Sequence, residues 1–83
     1  MNMEKRPLQF QVIFRPEPEG GYTVLVPSLP GCITYGRTMQ KAQEMATDAI
    51  EGYLESFEKH GEDLPSDAGS LFGMVSVRDF AHA

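Results

Sequence analysis

The chain has 83 residues, 41% of them hydrophobic, which suits one small folded domain and is too apolar for a disordered one. Its formal charge is −5, and its seven Lys and Arg are scattered, so direct grip on a phosphate backbone, which draws on clustered cations, is not expected. A single cysteine, Cys32, excludes an intramolecular disulfide and a multi-cysteine zinc site.

Residues 1–7 read as a flexible N-terminal arm. They lack the hydrophobic core of a signal peptide, and no apolar run approaches the ~20 residues of a membrane span. The expected location is the cytoplasm, with no membrane partner. From Leu8 to Arg15 the sequence alternates, with Leu8, Phe10, Val12 and Phe14 on one face, the pattern of a half-buried strand. Pro16 to Gly21 is a loop by composition. Tyr22 to Val26 follows as a second strand, antiparallel to the first. Pro27 ends it, because proline has no amide hydrogen to give a ladder. Pro30-Gly31 is a turn dipeptide, the proline presetting one torsion and the glycine accepting positive φ. Cys32 to Tyr35 is a short third strand closed by Gly36.

Thr38 is placed to accept a bond from the first free amides of a helix. That helix is predicted from Met39 to His60, because Met39, Ala42, Ala46, Ala49, Ile50, Tyr53, Leu54 and Phe57 recur at three- and four-residue spacing. Gly52 weakens it by roughly 1 kcal/mol relative to alanine, a cost that close approach to the sheet would explain. Gly61 is a C-terminal cap, and Lys59 and His60 suit the negative end of the helix dipole. Glu62 to Ser70 reads as a polar loop, and Phe72 to Phe80 as a last strand. The expected fold is α+β, in the order β-β-β-α-β, with one main helix on one sheet face. Ile13, Leu25 and Ile33 then fall on the uncovered face. A second copy is the expected cover, making the chain a homodimer or higher homo-oligomer.

No constellation of catalytic groups emerges. His60 and His82 lie at a helix end and near the terminus, in no metal-ligand spacing. Cys32 has no histidine near it in sequence and reads as a small buried hydrophobe. The glycines match neither a Walker loop nor a dinucleotide fingerprint. The first two strands carry no Asp or Glu, whereas a two-metal nuclease needs acids converging from its sheet and the neighbouring elements. The chain reads as a non-enzyme with no cofactor and no metal.

Acidity is concentrated on the helix, where Glu44, Asp48, Glu51, Glu55, Glu58 and Glu62 recur at intervals of four and three, placing the helical members on one face. Glu55 and Lys59 form a favourable four-residue pair, while Glu44–Asp48 and Glu51–Glu55 are like-charged. Two readings stand: a solvated face, or a docking surface for a basic partner built on Glu44, Asp48, Glu51 and Glu55. Glu17 and Glu19 are candidates to extend it.

The sequence resembles the N-terminal domain of HicB-type antitoxins. The resemblance rests on Gly21-Tyr22, on Pro27-x-Leu29-Pro30-Gly31-Cys32 with Thr34, on Gly36-x-Thr38, on the alanines at 42, 46 and 49, and on Gly61 with Leu64-Pro65. It implies a partial ribonuclease H-like fold and a cytoplasmic antitoxin that binds and blocks a small basic ribonuclease toxin of the HicA type. Arg37 and Lys41 stand where relatives often carry acids, so contacts made by those acids are not carried over. The DNA-binding region that full-length members add is not matched, so DNA binding is not implied. The alternative is a stand-alone homo-oligomeric domain that binds a small molecule or another protein.

Overall fold

A computed structural model describes residues 8–61 and 63–79. Three strands, β1 (Ile13–Pro16), β2 (Tyr22–Leu25) and β3 (Ile33–Gly36), precede one helix, α1 (Met39–Lys59). The strands form an antiparallel meander in the order β1-β2-β3. The class is α+β, with three antiparallel strands and a helix on one face. The arm, residues 1–7, and Glu62 lie outside the described residues, as does the stretch from Phe80 that includes His82.

The turns follow from their residues. Between β1 and β2 the Gly20 amide donates to the Glu17 carbonyl (2.9 Å) and the Glu17 amide to the Gly21 carbonyl (3.0 Å). Gly21 has φ 80°, and a Cβ there would collide with the ring of Tyr35, whose hydroxyl donates to the Gly20 carbonyl (3.0 Å). Between β2 and β3 the Cys32 amide donates to the Leu29 carbonyl (2.9 Å) across Pro30 and Gly31. Gly31 has φ 83°, the torsion that the third place of a type II turn requires. This turn sinks Leu29 until it is 1% exposed, and Tyr53 on α1 ties it down by donating its hydroxyl to the Pro30 carbonyl (2.8 Å).

The core lies between α1 and the sheet face carrying Phe14, Val24 and Thr34, which are aligned across the strands. Val24, Ala42 and Ala46 pack with Val12, Phe14 and Tyr22. Val26, Leu29 and Cys32 pack with Phe10, Val12, Ala49, Ile50 and Tyr53. The alternation from Phe10 to Phe14 therefore faces the helix as its period demands, although regular ladder pairing begins only at Ile13. Leu8 and Met39, at the outer ends of their stripes, are exposed.

The helix is bounded as its sequence predicts. Thr38 Oγ1 accepts the Lys41 amide (3.0 Å), Gly61 takes φ 66°, and His60 Nδ1 lies 2.8 Å from the Ser56 carbonyl oxygen. Gly52 is a correction. It is exposed and a Cβ there would meet nothing within 4 Å, so no close approach accounts for it. The close approach is at Gly36, where a Cβ would strike the backbone of Ala42 and Lys41.

The fourth strand expected at Phe72–Phe80 is also corrected: residues 71–79 form no regular structure. The chain does return to the free side of β1, but only at its root. The Asp67 amide donates to the Gln9 carbonyl (2.6 Å). The Asp67 carboxylate accepts the Gln11 amide (2.9 Å) and the Ser28 hydroxyl (2.7 Å). A turn through Gly69 (φ 90°) follows, closed by the Ser70 amide on the Asp67 carbonyl (2.9 Å). Among the described residues no strand pairs with residues 71–79, and a strand exists only beside another strand. Leu71, Met74, Val75 and Val77 are 96, 97, 89 and 73% exposed.

Two predictions follow from these contacts. Gly36→Ala should destabilise the domain by about 1–3 kcal/mol through overpacking, whereas Gly52→Ala should stabilise it by roughly 0.5–1 kcal/mol; urea denaturation of both variants reads the opposite signs. The bonds from Gln11 and Ser28 hold the Asp67 carboxyl below its usual value of 3.8. A depressed folded value makes the carboxylate stabilising above the unfolded value, and that contribution is lost as pH falls through the folded one. Asp67→Ala should therefore be less stable than the parent chain at neutral pH, with the gap closing in acid. Denaturation at pH 7 and pH 3 checks this.

Candidate functional site

Three surfaces remain once the core is assigned: the outer face of α1, the uncovered sheet face, and the exposed segment after Ser70. Helical periodicity places Glu44, Asp48, Glu51, Glu55 and Glu58 within an arc of about 80°, on the side of α1 opposite Ala42, Ala46 and Tyr53. All five are exposed. Among the described residues the ion pair on this surface is Lys41–Glu44 (3.4 Å), at the N-terminal end of the stripe. The predicted Glu55–Lys59 pair is not formed. The helix thus brings Glu44, Asp48, Glu51 and Glu55 together as one acidic strip without holding any of them in a structural bond to the body.

Glu17 does not extend that strip. Its carboxylate accepts the Thr23 hydroxyl, and Thr23, next to inward-facing Val24, belongs to the sheet face turned away from α1. Glu19 is exposed in the same β1–β2 turn.

The uncovered sheet face has two cross-strand rows. Ile13, Leu25 and Ile33 are aligned in one, and Arg15, Thr23 and Tyr35 in the next. Ile13 and Ile33 are 38% and 61% exposed. With Pro27 and Pro30 they line a shallow apolar hollow at one end of the sheet. Sequence alternation marked the Ile13–Leu25–Ile33 row; the Asp67 anchor beside it carried no sequence signal, being one acid in a polar loop.

The groups that chemistry would need are dispersed. Cys32 is buried among Val26 and Leu29, and burial pushes its thiol up, away from the thiolate that a nucleophile requires. His60 is engaged at the helix end. Among the described residues there is no group of three or more His, Cys, Asp or Glu arranged to hold a metal ion. No helix among them is long and apolar enough to cross a membrane.

Comparison with known proteins adds the missing context. A family model described as the HicB-like antitoxin of bacterial toxin–antitoxin systems matches residues 10–83. A UPF0150 protein of Thermoplasma acidophilum is 42% identical over 60 residues, covering 72% of this chain and 87% of that one. Antitoxin HicB of Escherichia coli is 37% identical over 75 residues, covering 84% of this chain and 52% of the relative. Antitoxin HicB 1 of Photorhabdus laumondii is 36% identical over 58 residues, covering 70% and 37% respectively. The chain therefore spans most of a short relative and about half or less of the two named antitoxins.

If the acidic strip has no part in holding the fold, its removal is tolerated. Asp48→Asn combined with Glu51→Gln should leave stability within about 0.5 kcal/mol of the parent, on the stabilising side because like-charged neighbours are relieved. A urea titration measures it.

Proposed function

The chain belongs to the HicB-like antitoxin family, and we propose that it acts as an antitoxin by binding and masking a small basic ribonuclease toxin of the HicA type. In this reading it is a non-catalytic cytoplasmic protein, a homodimer or higher oligomer, and Glu44, Asp48, Glu51 and Glu55 dock the toxin. The observation that carries the reading is the acidic strip: exposed along α1, unused by the fold, and part of a chain with net charge −5. A ribonuclease must present cations to its substrate's phosphates. An acidic helix face competes for those same cations and covers them.

Charge complementarity of this kind acts first on encounter. It raises the association rate, falls with ionic strength and suppresses wrong partners, while adding less to the final affinity. Inhibition by coverage needs no chemistry from the antitoxin, which accords with the dispersal of Cys32 and His60.

A second reading, a stand-alone oligomeric domain with no toxin, is favoured by one observation. The identity to the UPF0150 protein, 42%, exceeds the 37% to the Escherichia coli antitoxin.

Co-expression with the protein encoded in the adjacent reading frame separates the two. The antitoxin reading expects a small basic protein to copurify and its growth arrest to be relieved. It also expects combined Glu44→Lys, Asp48→Lys, Glu51→Lys and Glu55→Lys to slow association by about tenfold or more without unfolding the chain. Failure to bind any such neighbour would favour the stand-alone domain.

A further inference from the structure

Two apolar elements of this chain lie unburied at once, and they are complementary. One is the sheet row Ile13–Leu25–Ile33 with the hollow beside it. The other is the segment after Ser70, whose Leu71, Val75 and Val77 recur at strand spacing on one side of an extended chain. We propose that they bury each other between two copies: residues 71–77 of each copy lie across the uncovered sheet face of the other. This rests on the oligomeric part of the reading above and supplies the surface it would use.

The geometry of a single copy keeps the two elements apart. The molecule measures 61 × 28 × 22 Å. Within one copy the segment does not cover the row, since Leu71 and Val75 on the one side and Ile33 on the other are all exposed.

Its root fixes where it leaves. Asp67 is bonded to Ser28, and Ser28 stands between Pro27 and Leu29, both of which line the hollow. Root and hollow thus share one end of the sheet. A twofold axis at that end places each segment on the other copy's hollow, giving the self-complementary contact that a symmetric dimer requires.

Charge selects the same surface. Two chains of net charge −5 would oppose their acidic strips if they met through α1. The uncovered sheet face is built from Ile13, Leu25, Ile33, Thr23 and Tyr35, with Arg15 its charged member and Glu17 at the margin. It is the face on which like-charged copies meet at least electrostatic cost, and contact there leaves both acidic strips open.

Cysteine cross-linking between differently tagged copies tests the exchange, in a Cys32→Ala background. One copy carries Ile33→Cys on the sheet face and the other Val75→Cys on the segment. A disulfide joining the two tags is expected, together with a dimer of the unmodified chain in sedimentation. Val75→Asp should convert that dimer to monomer while leaving the far-UV dichroism and melting of the domain intact. A dimer in which the tags do not cross-link would overturn the exchange alone. A monomeric parent chain would overturn both the exchange and the oligomeric reading. A chain bearing both cysteines that links only within itself would show the segment covering its own sheet, and would also overturn the proposal.

Discussion

The separation between helix and sheet is set where Gly36 meets the backbone of Ala42. A side chain on Gly36 would lift the first turn of α1 from β3, and larger residues at 42 and 46 would lift the rest. With small residues on both sides, Val24 becomes fully buried, and the second cluster around Leu29 closes beneath Ile50 and Tyr53. The strong dependence of packing on volume makes this contact stringent. It also determines which side of α1 is left to solvent, and so where the acidic strip can be.

That arrangement divides the surface chemically. Negative charge is gathered on the outer side of the helix, and apolar area on the far side of the sheet and along residues 71–77. A small domain with one helix has no second layer to cover both sheet faces, so exposure of one face follows from the topology itself. The function and the exchange proposed above would use this division, the acidic strip opposing a partner's cations and the apolar face meeting a copy.

What could be read in the sequence was local. Thr38, Gly61 and the three- and four-residue spacing between them define α1 because caps and periodicity act within a turn or two. Pro30-Gly31 defines its turn because those residues restrict their own torsions. The off-face placement of Ile13, Leu25 and Ile33 follows from strict alternation. What could not be read depended on distant parts of the chain. Gly52 and Gly36 are indistinguishable by type, and only the sheet's position shows which one is crowded. The apolar composition of 72–80 suits a strand, but a strand also needs a neighbour, and among the described residues no strand lies beside 71–79. Glu17 looks like any loop acid until Thr23 turns it to the other side of the sheet. Asp67 becomes an anchor only when the chain, having passed through the whole helix, comes back to Gln9 and Gln11.

The anchor has a consequence for how the domain avoids indiscriminate aggregation. An edge strand invites any extended peptide to pair with it, and proteins blunt such edges with charges, prolines and covering loops. Here the stretch leading into β1 is capped by a carboxylate and a hydroxyl at Gln9 and Gln11, and the strand ends on Pro16, which offers no amide. A chain carrying an exposed apolar segment has particular need of such protection. With that edge guarded by side chains in place of a further strand, stacking into fibres is discouraged while the broad flank of the sheet stays available.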